Sequence, residues 1–170
     1  PLVLVSFSTT FQNHAATLQR VIDALAPLHA RVLVTLGGSI DASELRAPEN
    51  CVLVESAPHS VVLRDAALVV THGGHGTVMR GILSRLPMLV VPHGRDQNDN
   101  AVRVTERGAG LALMPDASTE AIRAACARLL SEPGFRAAAK QLGDRVAADM
   151  ENSTIVEELE AAATPCAATA

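Results

Sequence analysis

Ala66-Ala67-Leu68-Val69-Val70-Thr71-His72-Gly73-Gly74-His75-Gly76-Thr77-Val78-Met79-Arg80-Gly81-Ile82-Leu83 changes its period halfway along. Ala66 to Val70 is a short apolar, β-branched run and reads as a buried strand. Val78 to Leu83 has apolar positions at one-turn spacing and reads as a helix. Gly73, Gly74 and Gly76 therefore sit where a strand hands over to a helix. At such a junction the first helical N–H groups have no partner, and the helix dipole adds partial positive charge. Glycines let the main chain approach a ligand closely, and Thr77 adds a hydroxyl. That combination binds anions, most often phosphate.

Further elements extend from this stretch in both directions. Upstream, Leu2 to Phe7 reads as a first buried strand, followed by the hydroxyl-rich loop Ser8-Thr9-Thr10. A helix follows from about His14, with Leu18, Val21, Ile22 and Leu25 on one face and Pro27 near its end. Arg31–Leu36 and Cys51–Val54 are two more strands, the first closed by Gly37-Gly38, and Ser60 to Arg64 has room for a turn or two of helix. Downstream, Met88–Val91 is a strand ended by Pro92, and the loop His93-Gly94-Arg95-Asp96-Gln97 feeds a helix through Asn100 and Val104. Leu111–Leu113 is a last strand. Ser118 is placed to cap the next helix, Pro133 opens another, and Ile155, Val156 and Leu159 mark a final short one.

Short apolar strands alternating with amphipathic helices predict an α/β fold: a Rossmann-like, doubly wound parallel sheet of about six strands with helices on both faces. Residues 1–163 form one domain and residues 164–170 a loose tail. In such sheets ligands bind at the carboxyl ends of the strands, where strand order reverses. That edge collects Thr9, Gly37, His72 and Asp96 around one crevice.

Composition narrows the function. The 170 residues are 48% hydrophobic and 19% charged, with a net charge of −4, which argues against disorder and offers no basic stripe for nucleic acid. Three Phe, with no Trp and no Tyr, leave no stacking platform for single strands. No apolar run reaches the ~18 residues of a membrane span. Cys51, Cys126 and Cys166 show no metal or redox spacing and read as free thiols of a reducing, cytoplasmic compartment. A chain that begins at Pro1 and enters a strand at once is expected to have no signal peptide and reads as cut from something longer.

The glycine turn is not a P-loop, because no Gly-Lys-Ser/Thr follows it, and Met79 falls where the dinucleotide fingerprint needs a small residue. Taken together with Val5-Ser6-Phe7, Ala57-Pro58-His59, Leu86-Pro87, Pro92 and Asp96-Gln97 with Asn100-Ala101, in that order, it resembles a known family. The chain is similar to the C-terminal, donor-binding domain of the nucleotide-sugar-dependent glycosyltransferases of GT-B fold. Within these it resembles the bacterial natural-product (macrolide) type, related to the plant glucosyltransferases.

The resemblance implies a hexosyltransferase-type, inverting enzyme that uses a TDP- or UDP-sugar and a small-molecule acceptor. By it, His72 and the main-chain N–H groups from Gly74 through His75 and Gly76 to Thr77 hold the donor's diphosphate, with Thr9 as a further phosphate contact. Ser56 and the main chain of Ala57 meet the base, and Asp96 and Gln97 hold hydroxyls of the transferred sugar. No metal or other cofactor is implied. The catalytic base is expected in an N-terminal acceptor-binding domain, or a partner chain, so this chain alone is expected to bind donor without transferring sugar. Ser56, Arg80 and Arg85 depart from the plant signature, which has Trp, a ribose-binding Glu and Gly there. Loss of that Glu suits a deoxythymidine donor. Rival readings are an epimerase of the same fold, a non-catalytic donor-binding subunit, a helix-capping role for His72, a turn-forming role for Asp96, and a zinc site of His72 and His75 with His59 or His93.

Overall fold

The computed structural model describes residues 1–7, 14–38 and 40–163. Six strands run parallel in one sheet: β1 (Leu2–Ser6), β2 (Arg31–Thr35), β3 (Cys51–Val54), β4 (Ala66–Thr71), β5 (Met88–Val90) and β6 (Gly110–Ala112). Their spatial order is β3-β2-β1-β4-β5-β6. The chain winds outward from β1 to β3, crosses back to β4, and winds outward again to β6. Strand order reverses between β1 and β4, so the loops leaving these neighbours diverge and open a crevice at their carboxyl ends.

Alternation along the strands divides the core into two layers. Val3, Val5, Leu68, Val70 and Leu89 face one side, packed under α1 (Ala15–Leu25) and α5 (Thr119–Ser131). Leu4, Val69, Met88 and Val90 face the other, under α3 (His75–Leu83), α4 (Gln97–Glu106) and α6 (Pro133–Glu151). A sheet buried on both faces explains why its strands read as unbroken apolar runs. Ser118 Oγ accepts from the Ala121 N–H at 3.2 Å at the start of α5, and Pro133 occupies the first turn of α6, as their residue types lead one to expect.

The last strand begins one residue before the Leu111–Leu113 run. A Cβ at Gly110 would stand 2.1 Å from the Met88 carbonyl oxygen, so only glycine lets this edge close onto β5. Gly143 plays the same part between helices, since a Cβ there would meet the Ile82 carbonyl at 2.3 Å. The short α2 (His59–Asp65) leads into β4, and α7 (Ile155–Ala163) ends the described chain. No helix among the described residues is long and apolar enough to cross a membrane. Cys51 and Cys126 are buried free thiols, which burial pushes up to about 11 and about 12. Cys166 and residues 164–170 lie outside the described residues.

Candidate functional site: an anion cradle at the sheet's switch point

β4 ends at Thr71, and the three glycines that follow have different reasons to be there. Gly73 sits at φ +93, where a side chain is strained, and its Cβ would fall 2.8 Å from Val90 Cγ1. Gly74 is the N-cap of α3, and a Cβ on it would fall 2.5 Å from Nε2 of His72. Both are demanded by packing. Around Gly76 the nearest atom to an added Cβ is Arg80 Nη1, 4.0 Å away. The space its missing side chain leaves is open.

Thr77 N–H donates to the Gly74 carbonyl at 3.1 Å and Val78 N–H to the same oxygen at 3.0 Å. The Thr77 amide expected to meet the anion is therefore taken within the first turn, although its side chain still lines the cavity. Among the described residues no acceptor takes the N–H of Gly74, His75 or Gly76, so the cradle is a row of three amides.

These amides border a cavity of about 680 Å³. Ser6 and Phe7 enter it from the end of β1, Thr35 and Gly37 from β2, and Gly74, His75, Gly76 and Thr77 from the turn. Glu55, Ser56, Ala57 and His59, between β3 and α2, form another side. All the positions singled out for base and phosphate among the described residues thus meet in one place. Thr9 lies outside the described residues.

His72 is 7% exposed and its ring lies beneath Gly74. It does not cap α3, whose N-cap is Gly74. Its neighbours are aromatic: Phe7 at 6.1 Å and His14 at 6.4 Å between ring centres, with His93 5.3 Å from His14. Burial first, then repulsion from His14 and more weakly from His93, lowers its pKa to about 4, against the opposing pull of the Ser6 carbonyl and, last, Asp96. At neutral pH His72 is uncharged, so it brings the cavity no net charge.

Asp96 and Gln97 do not line this cavity. Asp96 is exposed, and its Oδ2 accepts from Asn100 Nδ2 at 3.0 Å. The same Asn100 amide donates to the Gly73 carbonyl at 2.9 Å, tying the start of α4 to the turn. Gln97 is 2% exposed, and its Oε1 accepts from the His93 main-chain N–H at 2.7 Å. That oxygen is committed to holding the loop after β5. His93 itself bonds the Val91 carbonyl at 2.9 Å through Nδ1 and faces Thr17 Oγ1 at 3.3 Å through Nε2. Among the described residues no three His, Cys, Asp or Glu side chains are grouped to hold a metal.

In the sequence His59 has a ligand role only in the rival zinc site and Arg80 stands only as a departure from the plant signature; neither is assigned to the donor. His59 Nε2 lies 3.3 Å from Ser6 Oγ, and partial burial with the nearby Arg80 charge lowers its pKa. Arg80 reaches the cavity because it stands four residues after Gly76, one turn along the same helix face. That spacing is the signal that could have found it.

Residues 19–162 match the sequence family described as erythromycin biosynthesis protein CIII-like, C-terminal domain. The elloramycin glycosyltransferase ElmGT of Streptomyces olivaceus is 33% identical over 149 residues, which are 86% of this chain and 37% of that protein. The 10-deoxymethynolide desosaminyltransferase of Streptomyces venezuelae is 29% identical over 141 residues, 82% of this chain and 33% of that protein. Among solved structures, the calicheamicin glycosyltransferase CalG4 superimposes with a TM-score of 0.84 at 28% identity, over 95% of this chain and 43% of that one. The glycosyltransferase VinC, solved in complex with dTDP, gives a TM-score of 0.74 at 33% identity, over 85% of this chain and 37% of that one. The chain spans well under half the length of the curated relatives it matches.

The fold is thus that of one part of the GT-B glycosyltransferases, with a row of main-chain amides facing a cavity at its switch point. The chain belongs to the erythromycin biosynthesis protein CIII-like C-terminal domain family, whose relatives include natural-product glycosyltransferases.

Proposed function

We propose that this chain is the nucleotide-sugar-binding domain of an inverting glycosyltransferase that moves a sugar from a TDP- or UDP-sugar to a small-molecule acceptor. The observation that carries the reading is the row of amides at Gly74, His75 and Gly76, which have no acceptor among the described residues and open onto a cavity at the β1/β4 switch point. A nucleoside diphosphate suits both parts: the anion sits on the amides, and the nucleoside extends toward Ser56 and Ala57. The related VinC was solved with dTDP bound, which supports the ligand class.

In the reaction, an acceptor oxygen attacks the anomeric carbon as the bond from that carbon to the diphosphate oxygen breaks. The electron pair leaves with the nucleoside diphosphate, and the acceptor's proton passes to a general base. The growing charge on the departing diphosphate faces fixed N–H donors, which need no reorganisation to stabilise it. No residue here is assigned as the base, which falls to the rest of a longer protein or to a partner chain. No metal is required for this stabilisation. Asp96, exposed beside the turn, is the carboxylate available for sugar hydroxyls, and Asp96→Ala should relax sugar selectivity while TDP affinity holds. Position 80 carries Arg80 in place of the ribose-binding Glu of the plant signature, and the loss of that carboxylate suits a donor without a 2′-hydroxyl.

Calorimetric titration of the chain with TDP, UDP and thymidine tests the reading. Diphosphates should bind more tightly than the nucleoside, TDP more tightly than UDP. Equal weak binding of TDP and thymidine would contradict it.

A further inference from the structure

We propose that Arg80 is a substrate-positioning residue that carries the second half of diphosphate recognition, its guanidinium neutralising charge that the amides of the turn leave uncompensated. The inference rests on the nucleotide-binding reading above and concerns the same cavity. Arg80 leaves α3 near its C-terminal end, but its side chain leans back along the helix, the direction favoured by helical rotamers. Its Nη1 reaches within 4.0 Å of the point where a Cβ of Gly76 would stand, in the first turn.

Two sources of positive potential therefore converge on one spot, the helix N-terminus and a guanidinium, which repel each other when no anion is present. No salt bridge among the described residues engages Arg80, whereas Arg85 pairs with Asp144 and Arg128 with Glu132. Glu55, the one carboxylate among the described lining residues, is not within ion-pairing distance of it. His72, the buried polar group beneath the cradle, is uncharged and cannot share the task. A cation beside amides that have no acceptor, and with no counter-ion among the described residues, suits a ligand with two linked anionic groups. One phosphate fills the amide row, and the other takes the planar N–H fork of the arginine.

The test compares Arg80→Gln and Arg80→Lys with the unmodified chain by calorimetric titration with TDP and with thymidine at two salt concentrations. Arg80→Gln should weaken TDP binding about tenfold or more and leave thymidine binding within a factor of about two. It should also flatten the salt dependence of TDP binding, and Arg80→Lys should recover part of the loss because it keeps the charge without the fork. Arg80 is exposed, so the thermal midpoint of both variants should match the unmodified chain. Unchanged TDP affinity in Arg80→Gln, or parallel loss of TDP and thymidine, overturns the assignment while the nucleotide-binding reading stands. Failure of the unmodified chain to bind TDP or UDP overturns that reading, and this assignment with it.

Discussion

Acidification should unfold this protein through His72, and by an amount the structure sets. The ring is 7% exposed and its pKa falls from 6.5 to about 4. As pH drops below 6.5 the unfolded chain takes up a proton at this position before the folded one does. Stability is therefore full above that value and is lost progressively down to about pH 4. At 1.36 kcal/mol per pKa unit, the loss is about 2 kcal/mol by pH 5 and about 3 kcal/mol by pH 4. The assay is urea unfolding at a series of pH values, for the unmodified protein and for His72→Gln, which keeps a polar side chain without a titrating ring. Carboxylates and the other histidines contribute to both curves, so the difference between them isolates His72. That difference should shrink or reverse by about 3 kcal/mol between pH 7.5 and pH 4. A constant difference across the range would refute the argument that burial beside His14 and His93 keeps this imidazole neutral.

Two further substitutions separate packing from ligand approach. Gly76→Ala meets no atom nearer than Arg80 Nη1 at 4.0 Å, so thermal stability should hold or rise slightly, as helical Ala replaces Gly. TDP affinity should nevertheless fall, because the methyl occupies the space over the amides; calorimetry beside a melting curve checks both halves. Asn100→Ala removes the amide that holds the Gly73 carbonyl and Asp96, and the buried carbonyl loses its partner. It should cost about 1–3 kcal/mol in unfolding by urea, and it should weaken diphosphate binding by loosening the turn.

The alternation of β-branched runs and amphipathic helices was enough to place the sheet, because a strand buried on both faces has no polar positions to blur its pattern. Gly110 escaped that reading: an isolated glycine reads as a loop, and only the distance to Met88 shows that it belongs to the strand. That Ser56, Ala57, His72 and Gly74 to Thr77 would border one cavity was legible because their loops all leave the carboxyl ends of strands. What each glycine does was not legible, since Gly73, Gly74 and Gly76 look alike in sequence and differ only in what surrounds them. Gln97 reads as a polar residue free to meet a ligand, yet it is buried and bonded to the next loop, a contact of tertiary origin. Arg80 was visible only as a departure from a family pattern, although its spacing from Gly76 already placed it on the cavity side of the helix.

The most direct test is a crystal structure of the chain with TDP bound. The diphosphate oxygens should lie within hydrogen-bonding distance of the main-chain nitrogens of Gly74, His75 and Gly76, with the thymine toward Ala57. A diphosphate bound elsewhere, with those three nitrogens facing only solvent, would contradict the account.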